Sequence, residues 1–200
     1  MHQFLISLVF MLYFGCSSLG QVNYLEKGNK ELNAEDFAAA EQTFRNAIRS
    51  DSANLIYQSQ LALSLIRQKK HEEAQQILDR ILLKDSANTG ALWYAGTNKF
   101  LDQKADLRHS VYYFEKVLPL LKENQGQYYS AQWFIGRSYQ ILLQTDGLTY
   151  NEVSRMLDCY SGYVQLQPMA DDAAEIAAFI RHIKDIRPSD NVKKWINKQQ

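Results

Sequence analysis

The sequence predicts an all-α fold, a helical-repeat solenoid of about four antiparallel helix pairs closed by a C-terminal capping helix. Three observations predict it. The tetrapeptide Asp-Ser-Ala-Asn stands at residues 51–54 and again at 85–88, a spacing of 34 residues. Sliding the chain by that spacing sets Gly28 on Ala62 and then on Gly96, Ala40 on Ala74, Phe44 on Leu78 and Ala47 on Ile81. Small residues meet small ones, and apolar residues meet apolar ones. Finally, no stretch alternates with a period of two, only three prolines occur, and apolar side chains recur at helical spacing throughout.

The elements follow in order. Tyr24, Leu25, Gly28 and Leu32 share one face of a first helix. Asn33-Ala-Glu-Asp36 reads as an N-cap with an acid three residues on, opening a second helix that carries Phe37, Ala40, Phe44 and Ala47 on one side. That helix ends at Ser50-Asp51, and Asn54 caps the next, so the repeated tetrapeptide is a joint between helix pairs. The third unit keeps its first helix through Trp93 and Gly96; Leu101 to Asp106 is a lengthened turn. Its second helix follows two residues late, with Ser110, Phe114 and Val117 on one face, and Pro119 bends the last turn. In the fourth unit Gly136 takes the small position, Thr145 to Thr149 is a longer turn, and Val153, Met156, Tyr160 and Tyr163 mark the second helix, closed by Pro168. Asp172 opens a capping helix from Ala173 to about Ile186, with Ile176, Phe179, Ile180 and Ile183 on its apolar face. Asn191 to Lys198 is expected to add a short helix, with Trp195 docked back on the cap.

A 34-residue helix–turn–helix unit carrying small residues at Gly28, Ala62 and Gly96, at Ala40 and Ala74, and bulky ones at Phe37, Phe44 and Leu78, resembles the tetratricopeptide repeat. The resemblance covers roughly residues 21–168, in units 21–54, 55–88, 89–124 and 126–168; residues 169–200 form the cap and tail. Ser52 and Ser86 stand where the family often has a joint proline. The resemblance implies a right-handed superhelical crescent whose first helices line the concave side and grip a peptide there. On this sequence the implied groove positions are Asn29 in unit one, Arg67 in unit two, Trp93, Thr97 and Phe100 in unit three, and Trp133, Arg137 and Gln140 in unit four. Trp93 and Trp133 would take equivalent places and, beside Arg137, anchor a partner's apolar or aromatic side chain. The competing placement buries both rings, in the longer turns or under the cap.

The first twenty residues contain no Lys, Arg, Asp or Glu, and Phe4 to Phe14 is an apolar run. That run is shorter than the roughly 20 residues of a membrane span but suits the core of a signal peptide. Ser18-Leu19-Gly20 then offers a cleavage site, giving a mature start at Gln21 and a protein exported from the cytoplasm, to the periplasm or cell envelope in a bacterium. Gly15-Cys16-Ser17-Ser18 also resembles the end of a bacterial lipoprotein signal, from which Tyr13 and Phe14 depart. Cleavage is the first reading, and an outer-membrane lipoprotein anchored through Cys16 is the alternative. Cys159 is the one other thiol and reads as a small buried apolar group.

Charge narrows the function classes. The 22 basic and 22 acidic side chains cancel, and the pI is near neutral at 6.9, so the basic face of a nucleic-acid binder is missing. The basic bias of Arg181 to Gln200 reads as a solvated helix face. His71, His109 and His182 lie far apart, and His71-Glu72 lacks the second His that a zinc helix needs four residues on. Neither a glycine-rich phosphate loop nor a Gly-x-Ser-x-Gly turn occurs. Asp171-Asp172 and Glu72-Glu73 sit at helix starts, where they complement the dipole. The expectation is therefore a non-enzymatic module without cofactor or metal, holding a protein or peptide partner in its concave groove. The alternative is an assembly subunit of a larger envelope complex that stacks through its ends.

Overall fold

Both Asp-Ser-Ala-Asn joints are built alike. In the first, the Asn54 side chain accepts hydrogen bonds from the backbone N–H groups of Ile56 and Tyr57, and in the second Asn88 accepts from that of Ala91. The Asp51 and Asp85 carboxylates each accept from the backbone two residues on, at 3.2 Å, and from the amide of the capping asparagine. One polar tetrapeptide thus serves the open groups of two helix ends, as its recurrence predicts.

The computed structural model describes residues 23–102 and 106–197. The leader, Cys16 and the Gln21 start lie outside them, as does part of the turn after Leu101. Nine α-helices are described: α1 (Tyr24–Asn33), α2 (Phe37–Ser50), α3 (Leu55–Arg67), α4 (His71–Lys84), α5 (Thr89–Leu101), α6 (Leu107–Val117), α7 (Gln125–Thr145), α8 (Tyr150–Leu166) and α9 (Ala173–Ile186). They form four helix pairs with α9 packed against α8 as the cap. Pro119 lies in a 3-10 turn, Leu118–Leu121, that tightens the end of α6.

Within each pair a bulky ring on the second helix lies on a small residue of the first. A Cβ placed on Gly28 would stand 2.3 Å from Phe44, one on Gly96 2.9 Å from Phe114, and one on Gly136 2.4 Å from Tyr160. All three rings are buried. In unit two Ala62 and Leu78 fill the same two places, both fully buried. The glycines are therefore a consequence of ring size: a phenyl or phenol leaves no room for a methyl group opposite it.

One helix boundary differs from the sequence reading. Asn33 is the last residue of α1, and the N-cap of α2 is Asp36, whose carboxylate accepts from the Ala39 N–H at 3.0 Å. The chain turns between them through Glu35, at φ 60, with hydrogen bonds from Glu35 N–H to Leu32 and from Asp36 N–H to Glu31. Lys69, 34 residues later and at φ 62, closes α3 with the same two bonds, to Ile66 and Leu65. These are Schellman closures with a charged residue in the place glycine usually takes, so no glycine flagged them in the sequence.

The tail differs as well. Residues 187–197 form no helix. They turn at Ser189–Val192, closed by a hydrogen bond from Val192 N–H to the Ser189 carbonyl, and run back to the α7–α8 turn, where Leu148 and Trp195 exchange two backbone hydrogen bonds of 2.8 Å and Asn197 N–H reaches Leu143. Trp195 therefore docks on the turn of unit four, and Lys194 joins Asp146 there at 2.8 Å. The turn's own unpaired backbone groups favour an extended partner over a short helix. Gly147, at φ 81, has the Trp195 carbonyl 2.9 Å from where its Cβ would be, so it is required twice over.

Polar clasps tie neighbouring units. The Asn98 amide, almost fully buried, meets His71 and Gln75 across α4 and α5. Arg155 of α8 holds both oxygens of Glu115 on α6, at 2.6 and 2.8 Å. Glu41 of α2 accepts from Arg45 on its own helix and from Gln68 and Lys70 of unit two. Burial acts to raise the Glu41 carboxyl, but the hydrogen bonds from Lys70, Gln68 and Arg45 win and hold it at about 2, against 4.5 for a free glutamate. Because the folded value is the lower one, this clasp contributes fully above about 4.5 and is lost as pH falls towards 2. Urea midpoints followed down that interval should decline in the natural protein and decline measurably less in Glu41→Gln.

Candidate functional site

Successive first helices approach one another, α1 to α3 and α3 to α5, more closely than successive second helices do. Units one to three therefore curve with their first helices inside. Helix α7 is the longest of them at 21 residues, against 10 for α1 and 13 each for α3 and α5. It presents Trp133, Phe134, Arg137 and Gln140 towards unit three and the cap.

Phe134 gathers the aromatic residues. It stacks on Phe114, with centroids 4.7 Å apart and planes 5° from parallel, and receives the edges of Trp93 at 6.1 Å and Phe100 at 5.0 Å. Trp133 tilts against Phe100 at 6.1 Å. The structure thus brings Trp93, Phe100 and Trp133 into one cluster spanning α5 and α7. Thr97 lies beside it, its hydroxyl donating to the Trp93 carbonyl at 3.0 Å. Asn29 and Arg67 are not part of this cluster. Asn29 is half-buried on α1, and the Arg67 guanidinium sits 4.8 Å over the Phe37 ring and 3.7 Å from Glu35.

The two tryptophans are both half-buried, and their surroundings differ. Trp93 packs edge-on against Phe114 at 5.4 Å. Trp133 is bound to the cap: its indole N–H donates to Asp172 at 2.7 Å, while the Tyr163 hydroxyl donates to the other Asp172 oxygen at 2.8 Å. Burial, and then Asp172 itself, push the Tyr163 phenol up to about 12, so it remains a donor. Asp172 stands at the α9 N-cap position but makes no side-chain capping bond. Its place at the helix start suits the dipole, as expected, yet its oxygens serve α7 and α8. Sequence offered the Asp-Asp pair as a signal, but only the fold shows which side chains it faces.

Beyond Trp133 the α7–α9 gap opens into a pocket of about 230 Å³, lined by Trp133, Arg137, Gln140, Tyr160, Glu175 and Phe179 among others. Its floor is the Tyr160 ring, whose hydroxyl donates to Gln140 at 2.5 Å; Arg137 donates to the same oxygen at 3.0 Å. Arg137 is exposed, and its partner there is a neutral amide. Small-molecule sites usually measure roughly 300–1,000 Å³, so this one suits a single large side chain. Tyr160, Glu175 and Phe179 were not foreseen in this role, because the apolar spacing of α8 and α9 marks core residues and says nothing of a gap between helices.

Among the described residues no group of three or more His, Cys, Asp or Glu is placed to hold a metal ion, and no helix is long and apolar enough to cross a membrane. Cys159 is fully buried, and burial pushes its thiol up to about 12, the inert state expected of it.

Antiparallel helix pairs on a 34-residue spacing, each closed by a small residue under a bulky one and curved with the first helices inward, define a tetratricopeptide-like helical repeat. Solved structures share that fold. A crystal structure of MamA superposes with a TM-score of 0.63 at 16% identity, covering 82% of each chain. A double mutant of MamA from RS-1 gives 0.65 at 14%, covering 82% of this chain and 84% of that one. MamA from residue 41 onward, of Desulfovibrio magneticus RS-1, gives 0.60 at 14%, covering 83% and 96%. No family model and no curated protein matches the sequence.

Proposed function

We propose that this protein is an exported, non-enzymatic interaction module of the cell envelope that holds a segment of a protein partner on its concave face. One large apolar side chain of that segment enters the pocket between α7 and α9, and its neighbouring polar groups meet Arg137 and Gln140. The observation that carries this reading is the pocket itself: a cavity of about 230 Å³ between α7 and α9 with aromatic walls and one exposed arginine at its rim. The walls are preformed, since Asp172 fixes Trp133 and Gln140 fixes the Tyr160 hydroxyl, so little ordering cost remains on binding. Export rests on the uncharged leader, with lipidation of Cys16 as the alternative; the intact mass of the mature chain separates them.

The test is capture from a cell-envelope extract with the chain from residue 21 onward and with Arg137→Glu. The change falls on an exposed side chain at the pocket rim and spares both the Trp133–Asp172 clasp and the Tyr160–Gln140 bond. The variant should keep its circular dichroism melt and lose the partner. A partner held equally by both baits would refute the pocket and favour attachment through an end of the stack.

A further inference from the structure

The outer face of the stack carries two grooves that are the same groove repeated. One, of about 440 Å³, runs between α2 and α4 and includes Ile48, Ser52 and Gln58. The other, of about 360 Å³, runs between α4 and α6 and includes Leu82, Ser86 and Leu92. Each residue of the second trio lies 34 positions after its counterpart in the first. Arg80 and Lys116 correspond too, displaced by the two extra residues before α6.

Leu83 lines both grooves and stands on the ridge between them, 86% exposed. Around it three cations, Arg80, Lys84 and Lys116, face a single carboxylate, Asp79, that no cation pairs. The Glu73 carboxylate is taken by Arg45, and Asp79 by Gln75 and Tyr113. The cations are left over: Arg80 donates only to its own helix, at the Gln76 carbonyl, and Lys116 rests 4.6 Å above the Tyr112 ring. Lys84, next to Leu83, is exposed at the end of α4. An exposed apolar ridge between two grooves with apolar floors, beside three cations that no carboxylate pairs, is complementary to an apolar surface flanked by acids.

We infer that this outer face is a second docking surface, and that its occupant is an acidic amphipathic helix of a protein partner. The helix straddles Leu83, its apolar side chains in the two grooves and its carboxylates on Arg80, Lys84 and Lys116. A helix suits the spacing. The second helices α2, α4 and α6 barely touch, so the grooves lie further apart than the roughly 8–10 Å of packed neighbours. Two to three turns of an α-helix advance roughly 11–16 Å, so residues about seven to eleven apart reach both grooves. This surface is built from second helices, the joints and the starts of α3 and α5, and shares no residue with the pocket between α7 and α9.

The experiment uses three stapled helical peptides, read by fluorescence polarisation. One has leucine along one face and glutamate elsewhere, the second has lysine in place of glutamate, and the third has alanine in place of leucine. The leucine–glutamate peptide should bind and the other two should not. Leu83→Asp should weaken that binding by about tenfold or more, as should Arg80→Glu/Lys84→Glu, and Arg137→Glu should leave it unchanged. Leu83 is exposed, so the fold should survive; Leu83→Ser provides a second variant without added charge. Equal binding of the lysine peptide, or indifference to both Leu83 variants, would overturn the inference. So would a dimer in sedimentation, or binding to phosphatidylglycerol vesicles, that Leu83→Asp abolishes while no peptide binds, for then the occupant is a second copy or a lipid surface.

Discussion

Gly28→Ala should destabilise the protein by about 1–3 kcal/mol, the usual cost of forcing a methyl group into a filled core. The new Cβ would lie 2.3 Å from the Phe44 Cζ and 2.7 Å from both flanking ring atoms, and Phe44 has no exposed surface through which to withdraw. Without the clash, alanine would stabilise a mid-helix position by about 1 kcal/mol over glycine, so the sign of the effect isolates the packing conflict. Unit two supplies the remedy, since Ala62 and Leu78 already occupy these two places. Adding Phe44→Leu to Gly28→Ala should therefore recover most of the loss, and a double-mutant cycle by urea unfolding should give a coupling above about 1 kcal/mol. Additive effects would mean that the small residue is not there to admit the ring.

Asp172→Ala should cost about 2–4 kcal/mol, because it leaves two donors without an acceptor, each worth about 1–3 kcal/mol when buried. Trp133 and Tyr163 come from different helices and meet only at this carboxylate, which belongs to the first turn of the capping region. Losing it should free α9 as well as soften the pocket. The expected record is a lower melting temperature together with a change in tryptophan emission, and Asp172→Asn should fall between, since its amide keeps one acceptor oxygen. An unchanged melting temperature in Asp172→Ala would show that the cap is held by its isoleucines alone.

Apolar helical spacing, the repeated joint and the small residues were legible because each depends on near neighbours along the chain. A capping asparagine acts within three residues, and the small residue and its bulky partner stand 16 positions apart in units one and two, 18 in unit three and 24 in unit four. The pairing survives that drift, as Phe114 on Gly96 and Tyr160 on Gly136 show, because each helix keeps its own apolar face. The misplaced N-cap at Asn33 has a local cause too: Glu35 adopts a left-handed conformation that its side chain gives no reason to expect.

What the sequence determined by itself is the repeat, its joints and the helix faces that form the core, since hydrophobic periodicity and capping are properties of short segments. The tertiary structure alone decided the rest. It turned Asp172 from a helix-start charge into the clasp of Trp133 and Tyr163, replaced a C-terminal helix by a strap on Leu148, and opened a pocket between α7 and α9. Each of these joins residues from separate elements, and whether two half-buried side chains leave a gap or close it depends on the offset between packed helices, which no local pattern encodes.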